Sequence, residues 1–221
     1  MRDPVQASGL RQDESGFSLL ELLVAMGIFT VVCAVFLAGM VTMTRETVRT
    51  QVTVDAADSV RRVFQRLDKQ VRYSDAINLP GASASGTEYV EFRTPATVSA
   101  AGVTMCTQWR WDPATALVES RVWAESAPSL PGWIVVATSV VAPDPAVPGY
   151  HPFSVVRASP EHPRQSLKLD LLLKSDASAG QVSSASTFVA RNSSVESSGN
   201  ADTNGDGISD LPACWRAGVR P

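Results

Sequence analysis

Apolar residues run almost unbroken from Phe17 to Met43, and Glu21 is the one charged side chain among them. Beyond Thr44 the pattern changes from apolar on all sides to periodic. Val48, Val52, Ala56, Val60, Val63, Phe64, Leu67 and Val71 recur at spacings of three and four, which marks one face of a helix. Asp58 with Arg62 and Asp68 with Arg72 stand four apart in the favourable order. No proline occurs from Val5 to Leu79. The pattern predicts one helix from Phe17 to about Tyr73, roughly 85 Å long at about 1.5 Å per residue.

Asn78-Leu79-Pro80-Gly81 ends that helix, and the period then falls to two. Strands are predicted at Glu88 to Arg93, Thr104 to Trp111, Ala116 to Trp123, Gly132 to Val141, Phe153 to Arg157, Ser166 to Lys174 and Ser186 to Arg191. Asp112-Pro113-Ala114-Thr115 reads as the turn of a hairpin, because proline presets φ at the second position. In the second strand Met105, Thr107, Trp109 and Trp111 share one face, with Cys106, Gln108 and Arg110 on the other. In the sixth, Leu167, Leu169, Leu171 and Leu173 oppose Lys168, Asp170 and Lys174. Strands following one long helix imply an α+β fold with a mostly antiparallel sheet.

The apolar run reaches about 40 Å as a helix, enough to cross a hydrocarbon core of about 30 Å. It is too long for the apolar part of a secretory signal, and no small-x-small site follows it. Glu21 conflicts with a simple anchor. A carboxylate at the bilayer centre costs about 2.5–3.5 kcal/mol or more, and less near an interface. Cleavage between Gly16 and Phe17 would create an α-amine, mostly protonated at neutral pH, that a neighbour's Glu21 could neutralise.

The segment Gly16-Phe17-Ser18-Leu19-Leu20-Glu21-Leu22-Leu23-Val24-Ala25-Met26 resembles the cleavage and N-methylation motif of type IV pilins and type II secretion pseudopilins. The resemblance covers about residues 11–40. It implies that a prepilin peptidase cuts after Gly16 and methylates Phe17, and that Glu21 guides helix packing in a filament. It implies partners as well: other pilins or pseudopilins, the peptidase and an inner-membrane assembly platform. It also sets orientation, with leader inside and head outside the cytoplasmic membrane. Where many pilins carry a proline, this chain has Ala38 followed by Gly39. Two shorter segments, Phe64 to Tyr73 and Thr187 to Asn192, are similar to minor pilins of the PilW type and J-type pseudopilins.

An exported head permits disulfides, and Cys106 and Cys214 are the only pair outside the apolar run, which holds Cys33. Net charge is −3 at pH 7, giving no global drive toward nucleic acid. Arg61, Arg62, Arg66, Lys69 and Arg72 read as a solvated face balanced by Asp58, Asp68 and Asp75, since no aromatics interleave as base-stacking surfaces would. Near the end, Asp202, Asn204, Asp206, Ile208 (through its carbonyl) and Asp210 follow the spacing of a calcium loop with Gly207 sixth. The twelfth position, however, is Ala213. A plain polar tail is the alternative. His151 and His162 lie in proline-rich loops, and no nucleophile elbow or phosphate loop is present. Asn192-Ser193-Ser194 fits a glycosylation sequon.

The expected organisation is a leader at 1–16, a membrane and filament-core helix at 17–43, and its amphipathic continuation at 44–75. A β-rich extracytoplasmic head at 76–198 and a polar tail at 199–221 complete it. The expected function is a non-enzymatic minor pilin or pseudopilin. A membrane-anchored binding or adhesion protein is the alternative.

Overall fold

A computed structural model of the chain describes residues 18–142, 150–174 and 181–214. Contacts divide it into two units, one ending at Thr47 and one beginning at Val48. Helix α1 spans Leu19–Arg72 without interruption, through Ala38 and Gly39. Nothing lies within 4 Å of where a Cβ on Gly39 would stand.

In the second unit, α1 buries Val60, Val63, Leu67 and Val71. Val48, expected on that face, is 57% exposed, so the packed stripe begins later than the periodicity does. The stripe lies on antiparallel sheets, which makes the fold α+β. Sheet A contains β1 (Ala76–Ile77), β2 (Gly81–Ala82), β3 (Glu88–Thr94), β4 (Met105–Asp112), β5 (Leu117–Ala124) and β6 (Ile134–Ala137). Its order is β1-β3-β4-β5-β6, with β2 also on β3. Sheet B contains β7 (Phe153–Val156), β8 (Ser166–Lys174) and β9 (Gln181–Val189), in that order. The segment after β6 ties the sheets together: Val141 N–H donates to Leu172 O at 2.9 Å, and Lys174 N–H to Ser139 O at 3.0 Å.

One core joins the helix to both sheets, with Val90, Phe92, Trp109 and Trp111 from sheet A and Phe153, Leu167, Leu169, Leu171 and Phe188 from sheet B. The β4–β5 hairpin turns where proline placed it. Asp112 accepts from the Ala114 N–H at 2.9 Å and the Thr115 hydroxyl at 2.8 Å. The other face of β4 is also covered. Cys106 packs with Trp123 and Cys214, and Gln108 Oε1 accepts from Arg121 Nε at 2.8 Å. Trp133 is stacked by the guanidinium groups of Arg110 and Arg121, at 4.3 and 4.2 Å.

The two segments singled out at Phe64 to Tyr73 and Thr187 to Asn192 meet at the end of α1. Phe64 and Phe188 pack edge to face with centroids 5.8 Å apart. Arg191 N–H donates to Arg72 O and the Asn192 amide to Tyr73 O, satisfying carbonyls the helix end leaves open. The sequon asparagine is therefore a structural residue here, and Ser193 is fully buried.

The short 3-10 turn Ser198–Asn200 lies against β1. A Cβ on Gly199 would stand 2.2 Å from Ile77 O, against backbone that cannot yield cheaply. Gly199→Ala is expected to destabilise the head by about 1–3 kcal/mol, as overpacking typically does. A lower thermal midpoint in detergent checks this; an unchanged midpoint contradicts it.

Candidate membrane and assembly segment

Glu21 sits in the first turn of α1, where the Leu22 N–H donates to Ser18 O at 3.1 Å. The partial positive charge of a helix N-terminus favours a carboxylate there. Among the described residues the Glu21 side chain has no hydrogen-bond or ion-pair partner. Gly16 and Phe17, the expected processing residues, lie outside the described residues.

Beyond Ser18, the helix residues that follow on around Glu21 are apolar. Leu19 is 80% exposed, and Leu20, Leu23, Met26, Phe29, Val32, Phe36 and Met40 all lie open. This far exceeds the apolar patches soluble monomers carry. Four threonine hydroxyls in and just beyond the run are satisfied internally. Thr30, Thr42, Thr44 and Thr47 each donate to the carbonyl four residues earlier, at 2.8–3.0 Å. With its backbone bonded within the helix from Leu22 onward, the segment beyond the first turn offers lipid or neighbouring helices a mainly apolar surface. It is long and apolar enough to cross a membrane.

Residues 11–37 match the family described as Prokaryotic N-terminal methylation motif. This is the prepilin-type signal. The match supports a pilin-like processed subunit. No curated protein and no solved structure matches the chain.

The remaining candidate residues fall into two groups. Cys106 and Cys214 are joined in a disulfide across a sequence separation of 108, and Cys33 is a free thiol. Candidate calcium residues bond one another and neighbouring side chains. Asp202 Oδ2 lies 3.4 Å from Arg157 Nη1, Asn204 and Asp206 bond each other, and Asp210 accepts from the Thr203 N–H at 2.7 Å. Asp210 stays below the usual carboxylate range because of those Thr203 bonds. Ala213 donates its N–H to Asn78 Oδ1 at 2.6 Å. Among the described residues no three His, Cys, Asp or Glu side chains are placed to share a metal. The segment is nonetheless no loose tail. Leu79 N–H donates to Ser209 Oγ at 2.8 Å, and Asp210 N–H to Ala201 O at 2.8 Å.

The basic strip is only partly balanced. Arg72 pairs with Asp68, but Asp75 is taken by Arg93, whose Nε and Nη2 lie 3.1 and 2.9 Å from its carboxylate. The reason is register: Arg93 is the cross-strand neighbour of Ala76, next to Asp75. Among the described residues Asp58 and Arg62 form no ion pair. His151 is also structural. Its Nδ1 lies 2.6 Å from Glu88 Oε1, and burial pushes the Glu88 carboxyl up while the histidine opposes the shift.

Two features gave no sequence signal. The Gln165 amide bonds both backbone groups of Ile77, at 2.8 and 2.9 Å, acting as a strand neighbour from 88 residues away. The arginine–tryptophan stack assembles from separate strands and a loop.

Proposed function

We propose that this chain is a minor pilin or pseudopilin that joins or primes a filament of packed N-terminal helices. A prepilin peptidase removes residues 1–16 and methylates Phe17. The apolar half of α1 first anchors the chain in the cytoplasmic membrane, with the β-sheet head on the outer side. It then enters the filament core, where Glu21 neutralises the α-amine of a neighbouring subunit. The observation that carries this reading is the combination in residues 19–43: apolar exposure all round, threonine hydroxyls bonded internally, and a single carboxylate, Glu21, whose side chain has no partner among the described residues. A pure anchor has no use for that carboxylate.

The reading is tested by shearing filaments from cells that express the chain with a complete pilus or pseudopilus system. The chain is expected in the sheared fraction with other pilin-like subunits. Retention only in membranes, while other subunits shear off, contradicts it.

A further inference from the structure

Between the last turns of α1 and sheet A lies a groove of about 410 Å³. Val98, Met105 and Val122 supply apolar lining, and Arg66 and Lys69 stand at the helix side. No carboxylate lines the groove. Among the described residues neither cation has an ion-pair partner. Gln70 and Tyr73 also line it; Gln70 is held by the Trp109 Nε1–H at 2.9 Å, and Tyr73 is 47% exposed. Such a groove favours an occupant that brings apolar side chains and negative charge together.

The same chain presents that combination elsewhere. In the closed loop after Asp202, Ile208 and Leu211 are 49% and 55% exposed, and Asp206 and Asp210 are exposed beside them. The loop is held in shape. The Ile208 N–H donates to Asp206 Oδ1 at 2.8 Å, and Ser209 Oγ donates to Gly199 O at 2.6 Å. Among the described residues neither aspartate has a cationic partner. The loop is anchored at Leu79 and Gly199, neither of which lines the groove.

We propose that the groove of one copy receives the 206–211 loop of a second copy. Ile208 and Leu211 rest on Val98, Met105 and Val122, and Asp206 and Asp210 face Arg66 and Lys69. The two surfaces differ, so the contact is heterologous. It is small and weak by itself. Confinement of both copies to one membrane raises their effective concentration enough to populate it. The contact does not depend on cleavage at Gly16.

The test uses the full-length chain in membranes of a host without a prepilin peptidase, so that maturation does not enter. Tyr73→p-benzoylphenylalanine places a photo-crosslinker in the groove. Irradiation is expected to give a dimer whose crosslinked peptide maps to residues 206–211 of the second copy. Asp206→Asn with Asp210→Asn keeps one acceptor oxygen at each position, enough for the Ile208 N–H and for Thr203, and removes both charges. It should lower the yield about tenfold, and Arg66→Glu with Lys69→Glu should do the same. Retention of the Cys106–Cys214 bridge in both variants, read by non-reducing electrophoresis, shows that the head is folded. A crosslink to another region, to lipid or to other proteins alone overturns the proposal. So does the absence of a product, or a yield that neither pair of substitutions changes.

Discussion

Glu21→Ala leaves the chain in the membrane and removes it from filaments. Insertion has no need of the carboxylate: replacing it with a methyl group makes a run that is already apolar on every side more so. On the proposed reading, assembly does need it. In the proposed core of packed N-terminal helices, residue 21 would be surrounded by apolar side chains and water would be excluded. An α-amine brought into that core without its counter-charge is the costly half of a broken buried pair, worth about 3–5 kcal/mol. At about 1.4 kcal/mol per tenfold, incorporation falls by more than about a hundredfold. Quantifying the chain in membrane and sheared fractions separates the two effects. Normal incorporation of the variant would mean that the carboxylate is only a favourable charge at a helix N-terminus.

The second large effect falls on the head. Breaking the Cys106–Cys214 bridge, by reduction or by Cys106→Ser, reopens a loop with a sequence separation of 108. The chain-entropy model assigns a loop of that length about 4.7 kcal/mol. Total stabilities of single domains run to about 5–15 kcal/mol, so most of the margin can go with this one bond. The bond also holds the residues before it in place. Asn78 binds the Ala213 backbone, and Trp123, Ala127 and Leu130 pack around the two sulfurs. The thermal midpoint of the chain in detergent is expected to fall by roughly 10–15 °C on reduction. Cys33→Ser, a change to the free thiol in the apolar run, leaves the midpoint of the head in place. A reduced head that melts within about two degrees of the oxidised one contradicts this account.

The elements most legible in the sequence were those whose burial is periodic. Leu167, Leu169, Leu171 and Leu173 face the core as their alternation requires. The stripe from Val60 to Val71 packs as its helical spacing predicts. The hairpin at Asp112 was legible because its turn chemistry is local. Other features lay beyond a linear reading. β1 and β2 are two residues each, too short to show a period. β9 begins at Gln181 rather than near Ser186; Ser184 and Ser186 hold two of its four inward positions and only Phe188 among them is buried, so its first half shows no clear apolar alternation. The division into two sheets follows from which strands pair, and alternation alone does not contain that. In the candidate site, Glu21 stood out as one charge in an apolar run. The Gln165 clamp on Ile77 and the groove beside Arg66 depend on contacts between distant segments, and neither leaves a local mark.

The assembly role of α1 depends on what happens at Gly16 and Phe17. Mass spectrometry of the mature N-terminus, on chain recovered from a host with a prepilin peptidase, addresses it most directly. The account predicts a chain that begins at Phe17 and carries a methyl group on its α-amine. A chain that still begins at Met1, or one cut near Thr42, contradicts it.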